Sequence, residues 1–150
     1  RIFSNLEKLY LTIKKLNLTV IDSREYYSLA YKLGIPEKGL SNLKDQLFGL
    51  EANFEIFKAI DFKKGCFIGQ ENTARMKLKN KLRRKLLPIS SSEKLNIGDE
   101  VTYDNSKIGI ILIDHPFPFG LIKILNPDLK DFKDKILLAN NKECKILDSI

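Results

Sequence analysis

The chain has 150 residues, of which 43% are hydrophobic and 30% are charged, a composition typical of a folded protein. Lysine and arginine outnumber aspartate and glutamate by 26 to 19, so the formal net charge is +7. Apolar runs fall well short of the ~20 residues that a membrane-spanning helix needs. Two cysteines and one histidine exclude a disulfide scaffold, a four-cysteine metal site and the zinc-finger ligand sets. We therefore expect neither a membrane partner nor a resident metal.

The start of the chain and its charge suggest two further expectations. The first residue is Arg1 rather than methionine, so we expect that sequence precedes it in the whole protein. The positive charge is compatible with nucleic acid, an anionic cofactor or an acidic partner, but a solvated basic surface is the simpler explanation.

The first third of the chain predicts a strand, a helix and a loop. Apolar and polar residues alternate over 9–13, a period of two that indicates a half-buried strand. Asp22 can cap a helix over 23–33, and Gly34 can end it. Glycine, proline and polar residues then predict a loop-rich connection over 34–49.

Two more helices are predicted within residues 50–76. Leu50, Phe54 and Phe57 recur at intervals of four and three residues, which indicates a short helix. A further helix is expected to begin near Gly69 and to end near Met76.

The second half of the chain predicts a small all-β domain. The polar turn at 104–106 joins two apolar runs, as in a β-hairpin. Short strands are expected over 82–90, 100–103, 108–113, 119–125, 135–138 and 144–147. Such regular spacing is typical of an antiparallel barrel or sandwich. The predicted fold class is therefore α+β, with an α+β piece over 1–80 and an all-β domain over 81–150.

The segment with the clearest chemical signal surrounds Cys66. This cysteine stands a few residues before a predicted helix start, and Lys63 and Lys64 precede it. A helix N-terminus and neighbouring cations stabilise a thiolate and lower the pKa of a thiol. Gly65 and Gly69 permit the tight turn that would present such a thiol. The alternative is a small buried residue in a turn, since free cysteine is often buried.

Three polar residues follow Cys66, and each has two interpretations. Gln70 and Glu71 either position the cysteine loop or cap the first turn of the helix. Arg75 lies one turn after Glu71, so it either pairs with that carboxylate or contacts a ligand. Cys144, by contrast, falls in a strand pattern and is predicted to be a core residue.

At this point the sequence resembles a known family. The run KGCFIGQE over 64–71, followed by Ala74 and Arg75, is similar to the signature of the YgfZ family, whose relatives include mitochondrial iron–sulfur assembly factors and the T-protein (aminomethyltransferase) of glycine cleavage. Flanking segments are similar too. They are GIP at 34–36, LEANF at 50–54, AIDF at 59–62 and the basic segment 81–87.

The resemblance implies both a fold and a role. The fold would be the remnant of a T-protein-like folate-binding α+β domain followed by a small β-barrel. The role would be maintenance of iron–sulfur enzymes, including those that thiolate tRNA, with tetrahydrofolate as ligand. Cys66 would be the functional thiol within the motif that also contains Lys64, Gly65 and Gly69. Glu51 matches the T-protein carboxylate that contacts the pterin. The partners implied are iron–sulfur proteins or their assembly factors, in the bacterial cytoplasm or, alternatively, the mitochondrial matrix.

Two other functions remain open on the sequence. A folate-dependent aminomethyltransferase like the T-protein would need a pterin pocket and a carboxylate rather than a thiol, so an accessory factor is favoured over an enzyme. An RNA-binding module could use the basic run over 75–85, which contains seven basic and no acidic residues. No aromatic residue interrupts that run, so base stacking is not indicated.

Overall fold

In the computed structural model, which describes residues 4–65, 67–79 and 82–147, six antiparallel strands close into a barrel. Their order around the barrel is β1-β4-β3-β2-β5-β6. The strands are β1 (Arg84–Ser90), β2 (Glu100–Tyr103), β3 (Ser106–Ile113), β4 (Phe119–Lys123), β5 (Leu137–Ala139) and β6 (Lys142–Ile146). The predicted antiparallel barrel and the overall α+β class are confirmed.

Two tight turns fix the register of the barrel hairpins. Asp104 and Asn105 join β2 to β3, and Asn140 and Asn141 join β5 to β6; all four have positive φ, between 47° and 68°. Two consecutive residues with positive φ are characteristic of the hairpin turn whose twist matches that of the strands. Asparagine and aspartate tolerate this conformation, so the sequence specifies both hairpins locally.

The barrel interior holds the main hydrophobic core. Its fully buried side chains come from every strand, so closure of the sheet removes them from water. They include Ile89, Val101, Ile108, Ile111, Ile122, Leu137, Ala139 and Cys144. Cys144 is thus a core residue, as predicted.

Three of the four described α-helices precede the barrel, the fourth lies between its fourth and fifth strands, and part of the preceding region packs on the barrel's outer side. The helices are α1 (Leu6–Lys15), α2 (Ser23–Lys32), α3 (Glu71–Leu78) and α4 (Leu129–Phe132), with a 3-10 helix at Leu40–Leu43. In α2, Tyr31 packs against a second cluster that contains Leu86, Ile113 and Phe119. Its hydroxyl donates a hydrogen bond of 2.6 Å to the carbonyl oxygen of Ile89. No helix in the described part of the chain is long and apolar enough to cross a membrane.

The helix predicted over 23–33 is confirmed at Ser23–Lys32, and the loop-rich segment after it contains only the short 3-10 helix among its described elements. Asp22 caps α2 through a hydrogen bond from the Arg24 N–H, at 2.6 Å. Gly34 adopts a φ of 71° just after the helix. The helix predicted from Gly69 to Met76 is also confirmed, shifted by two residues to Glu71–Leu78.

The strand predicted over 9–13 is wrong, because these residues lie in α1. A short alternation of apolar residues is also compatible with a helical spacing, and Leu6, Leu9 and Ile13 follow that second pattern. Asn5 decides between them, since its Oδ1 accepts a hydrogen bond of 2.9 Å from the Lys8 N–H and caps the helix.

The short helix predicted from Leu50 to Phe57 is replaced by a succession of turns. Asn53 and Lys58 have positive φ values of 63° and 54°, which interrupt a regular helix. The one-turn helix α4 was not predicted; Asp128 caps it and Phe132 is buried in the barrel core.

Candidate functional site

The candidate site is the segment that leads from the turns at 51–58 into α3. Cys66, the predicted functional thiol, lies outside the described residues, so the site is built from the residues on either side. Gly65 and the stretch 67–70 are exposed. Helix α3 begins at Glu71, five residues after Cys66 in the sequence.

Local hydrogen bonds shape the chain on both sides of Cys66. The Lys63 N–H donates to Asp61 Oδ1 at 2.8 Å, which forms a turn before the cysteine. The Gln70 N–H donates to the carbonyl oxygen of Phe67 at 3.0 Å, which forms a turn after it. Gly69 has a φ of 89°, a conformation that strains any residue with a Cβ. The predicted need for glycine at this position therefore has a geometric cause.

The side chains of Gln70 and Glu71 both return to the loop. Glu71 Oε2 accepts a hydrogen bond of 2.9 Å from the Gly69 N–H. Gln70 Oε1 lies 3.5 Å from the Phe67 N–H, at the long limit for a hydrogen bond. Glu71 also stands in the first turn of α3, where a carboxylate favours the helix dipole. This geometry supports the positioning interpretation of both residues.

A cavity of about 200 Å³ lies beside the loop. Its lining combines polar groups from the motif with an apolar wall. The motif contributes Lys64, Gly65 and Gln70, and the neighbouring segments contribute Ala59, Ile60, Asp61, Phe62, Thr73 and Ala74. Ligand pockets are roughly 300–1,000 Å³, so this cavity holds at most a small group.

Helix α3 is tied to the segment before the loop. Lys77 forms an ion pair with Glu55, and its Nζ lies 5.8 Å from the centre of the Phe62 ring. Arg75, on the same helix, is exposed. The loop is therefore connected at its helical end to the turns at 51–58.

Glu51 is buried and forms contacts within the chain. Only 4% of its surface is exposed. Its Oε1 accepts a hydrogen bond of 2.9 Å from Arg84 Nε, and its Oε2 accepts one of 3.0 Å from the Phe48 N–H. The cavity beside the loop does not include Glu51. Both carboxylate oxygens are thus engaged in holding the chain together.

These contacts decide how well tetrahydrofolate fits. A pterin needs a carboxylate free to accept from adjacent ring N–H groups. Glu51 is 4% exposed, each of its oxygens accepts one hydrogen bond from the chain itself, and the cavity of about 200 Å³ does not include it. In the described part of the chain, Glu51 is therefore not open to a pterin, and tetrahydrofolate binding stays an expectation of the resemblance, with a pocket that this chain contains only in part.

Asn53 is an anchor that sequence reasoning missed. It is 1% exposed, and its Nδ2 donates a hydrogen bond of 2.6 Å to the carbonyl oxygen of Leu86 in β1. The Leu86 N–H in turn donates to the carbonyl oxygen of Glu51 at 2.8 Å. Together with the Arg84 contact, these bonds fasten residues 51–53 to the first strand of the barrel. Asn53 lies in the LEANF segment over 50–54, and this position was the signal that could have identified it.

The basic run over 75–85 does not form a uniformly free cationic surface. Lys77 pairs with Glu55, and Arg84 pairs with the buried Glu51. Lys81 lies outside the described residues. Two of the seven basic side chains are therefore engaged in ion pairs, which weakens the case for a continuous phosphate-binding track.

Cys144 differs from the predicted properties of Cys66. It is buried in the barrel core, and burial raises the pKa of its thiol from 9.0 to about 11. Within the described ranges, no group of three or more histidine, cysteine, aspartate or glutamate side chains could hold a metal ion.

The chain is an α+β protein in which a helical segment packs on the outer side of a closed six-stranded antiparallel barrel. A segment whose sequence contains Cys66 between Gly65 and Gly69 leads into α3. No family model matches the chain. Several known proteins are similar to the chain, and three of them are named mitochondrial iron–sulfur cluster assembly factor IBA57 or its homolog.

The similarity covers part of each protein. The Neurospora crassa homolog is 38% identical over 63 residues, 42% of this chain and 14% of the relative. The mouse protein is 38% identical over 69 residues, 45% of this chain and 19% of the relative. The Dictyostelium discoideum homolog is 30% identical over 90 residues, 57% of this chain and 22% of the relative. The matched part thus spans less than a quarter of each of these three proteins. The expectation of iron–sulfur assembly factors among the relatives is confirmed.

Proposed function

We propose that this chain acts in iron–sulfur cluster assembly and that Cys66 is its functional thiol. The observation that carries the proposal is that the similar proteins are named as iron–sulfur cluster assembly factors. The exposed, glycine-containing loop on either side of Cys66 supports the second part, since a reactive thiol needs access.

The chemistry of clusters limits what Cys66 does. Iron–sulfur clusters are generally held by four protein ligands, so one cysteine is not enough to hold the cargo cluster. The buried thiol of Cys144, with its raised pKa, is a poor second ligand. We therefore expect Cys66 to act with groups outside this chain, as a shared cluster ligand, in redox protection of a cluster or in a transient exchange of sulfur or disulfide.

A rescue experiment tests this function. Cells that lack the endogenous protein are supplied with wild-type protein, Cys66→Ser or Cys144→Ser, and the activity of their cluster-dependent enzymes is measured. We expect wild type and Cys144→Ser to restore activity and Cys66→Ser to fail at equal protein level. Full rescue by Cys66→Ser would refute the role of the thiol, and no rescue by the wild type would refute the function.

The resemblance extends the proposal to two finer features. Clients of the chain would include the enzymes that thiolate tRNA, and measuring thiolated tRNA in the rescued cells tests this extension. Tetrahydrofolate binding is tested by calorimetric titration of the chain. Glu51 is buried in the described part of the chain, so the proposed role of Cys66 does not depend on folate.

The alternatives have weaker support. An aminomethyltransferase would need a pterin contact from Glu51, which is buried in the described part of the chain. RNA binding would show a steep decrease of affinity with salt, and the ion pairs of Lys77 with Glu55 and of Arg84 with Glu51 argue against it.

The names of the relatives favour the mitochondrial matrix over the bacterial cytoplasm as the compartment of this protein, and fractionation of source cells decides between the two.

A further inference from the structure

Helix α1 faces solvent around nearly its whole circumference. None of its residues is buried, and Ile13 alone among them is half-buried. Leu6 is 83% exposed, and Leu16, which ends the helix, is 61% exposed. Residues that are three and four positions apart lie on one face of a helix. The four apolar residues with this spacing form one line, which we call the α1 stripe: Leu6, Leu9, Ile13 and Leu16.

The apolar surface continues past the end of α1. Leu18, Val20 and Ile21 are each more than half exposed. Scattered apolar residues are common on protein surfaces, but a run of this size marks a place of interaction. The described part of the chain leaves these three residues and most of the α1 stripe uncovered.

Both ends of α1 are closed by local hydrogen bonds. At its start, the Lys8 N–H donates to Asn5 Oδ1 at 2.9 Å. At its end, Asn17 has a φ of 50°, and the Leu18 N–H donates to the carbonyl oxygen of Ile13 at 2.9 Å. Such caps stabilise a short helix that packing does not support. The helix is therefore ordered before a partner binds, which lowers the entropic cost of binding.

The polar side of α1 is positively charged. Lys8, Lys14 and Lys15 are exposed, and Glu7 is the one acidic residue of the helix. Lys14 Nζ lies 4.9 Å from the centre of the Tyr10 ring, so this cation stays close to the apolar side chains. Helices with leucines on one face and lysines on the other are typical of the surface of membranes that contain anionic lipids. The net charge of +7 attracts the chain to the same surface.

We propose that α1 binds the surface of a lipid bilayer that contains anionic lipids. The α1 stripe, continued by residues 18–21, lies at the boundary of the acyl chains, and the lysines interact with the headgroup phosphates. A helix of 10 residues lies in the plane of the membrane, because a span needs ~20 residues. The expectation of no membrane partner concerned spanning segments, and this contact needs none. The contact involves neither Cys66 nor a cluster, so it is independent of the proposed function.

A bilayer suits this surface better than a second copy of the chain does. A stable protein interface takes about 20–30 residues from each side, far more than the α1 stripe and residues 18–21 provide. The apolar residues also pass from a helix into an irregular segment. A fluid bilayer accommodates such a shape without a matching pocket.

Cosedimentation of the full chain with lipid vesicles tests the proposal. Vesicles of phosphatidylcholine mixed with phosphatidylglycerol are compared with vesicles of phosphatidylcholine alone. We expect binding to the anionic vesicles to be stronger by at least about tenfold and to weaken as salt is added. Leu6→Gln and Leu9→Gln keep the helix propensity and should each lower the partition coefficient by about tenfold. Lys15→Gln should lower it by about fivefold, on the anionic vesicles only.

Leu125→Gln is the matched control, because Leu125 is 48% exposed in the segment after β4. It should leave vesicle binding unchanged. None of the substituted residues is buried, so every variant should keep the circular dichroism of the barrel. Failure of the wild type to bind anionic vesicles would overturn the proposal, and so would wild-type binding by the double variant Leu6→Gln, Leu9→Gln.

Hydrogen–deuterium exchange locates the contact within the chain. Anionic vesicles should slow the exchange of the α1 amides by at least about tenfold, because a bound helix opens less often, and should leave β3 unchanged. Protection of β3 without protection of α1 would overturn the proposal, since it would place the membrane contact on the barrel.

Discussion

At the scale of single residues, Glu51 shows how one carboxylate can serve the fold. It receives a hydrogen bond from Arg84 of β1 and another from the backbone N–H of Phe48. The resemblance points to this same carboxylate as a ligand contact, but its two oxygens are engaged within the chain. Its contribution to stability can therefore be measured without any ligand.

Replacing Glu51 by glutamine should destabilise the chain. The substitution removes the charge that faces Arg84 and places an amide where two donors require acceptors. We expect the free energy of unfolding to fall by about 1–3 kcal/mol. Urea unfolding followed by circular dichroism measures it.

Glu55→Gln is the control for this prediction. Glu55 pairs with Lys77 at the surface, where both side chains are largely exposed, so its loss should cost at most about 1 kcal/mol. Equal effects of the two substitutions would show that Glu51 is not a structural anchor.

Cys144 makes stability depend on alkaline pH. Burial raises its pKa from 9.0 to about 11, so the folded state favours the protonated thiol. This contribution is fully present below pH 9 and is lost as the pH rises towards 11. The unfolding free energy of the wild type should therefore fall with pH more steeply than that of Cys144→Ala, by up to about 1.4 kcal/mol per pH unit.

Urea unfolding at a series of pH values between 8 and 11 tests this dependence. Cys66→Ala is the matched control, and it should retain the wild-type slope above about pH 10, where a thiol with a lowered pKa is ionised in both the folded and the unfolded state. A slope that is the same in wild type and Cys144→Ala would contradict the assignment of the alkaline loss to Cys144.

At the scale of elements, the barrel depends on a close approach between β3 and β4. A Cβ on Gly109 would lie 2.6 Å from the carbonyl oxygen of Leu121 and 2.6 Å from Ile122 Cδ1. The backbone contact cannot be relieved by a side-chain rotation. We expect Gly109→Ala to lower the free energy of unfolding by about 1–3 kcal/mol, measured by thermal and urea unfolding.

Gly65→Ala is the corresponding control in the cysteine loop. A Cβ there meets no described atom within 4 Å, so its effect on stability should stay within about 0.5 kcal/mol. A larger loss from Gly65→Ala than from Gly109→Ala would contradict the described strand register.

The sequence predicted the elements whose boundaries are chemically marked. Asp22 and Gly34 bound α2, and Asp104 and Asn105 mark the predicted hairpin of the barrel. The prediction failed for α1 because five alternating residues fit both a strand and a helix until the cap at Asn5 is considered. It failed near Asn53 because the positive φ there is stabilised by the distant Leu86 carbonyl, which no local pattern contains.

The candidate site was predictable to a different degree. The motif indicated the loop before α3, and the hydrogen bonds of Gln70 and Glu71 to that loop agree with one of the two interpretations of these residues. The exposure of Phe67 and Ile68 was not predicted, because apolar residue types alone favour a buried position over an exposed one. The engagement of Glu51 was also not foreseen, since its partner Arg84 lies on a strand 33 residues away.

At the scale of the whole molecule, burial is unevenly distributed between the barrel and the N-terminal helix. The barrel contains the main buried core, whereas α1 contributes no buried residue. Local opening is easiest where few apolar contacts hold an element. We expect amide hydrogens of α1 to exchange much faster than those of β3 and β4, measured by hydrogen–deuterium exchange and mass spectrometry.

Helix α2 is the internal control for exchange. Tyr31 and the buried Ala30 attach it to the rest of the chain, so its amides should be protected more than those of α1. Equal protection of α1 and the barrel strands would show that α1 is held by contacts beyond those described.

The central claim is that the well-packed barrel supports a chain segment in which Cys66 is accessible and reactive. The most direct test is the rate of thiol alkylation against pH, with Cys66 and Cys144 separated by mass spectrometry. The account predicts rapid labelling of Cys66 in the folded chain, with a midpoint below the usual ~8.5 of a free thiol, and slow labelling of the buried Cys144. Labelling of both cysteines only after unfolding would contradict it.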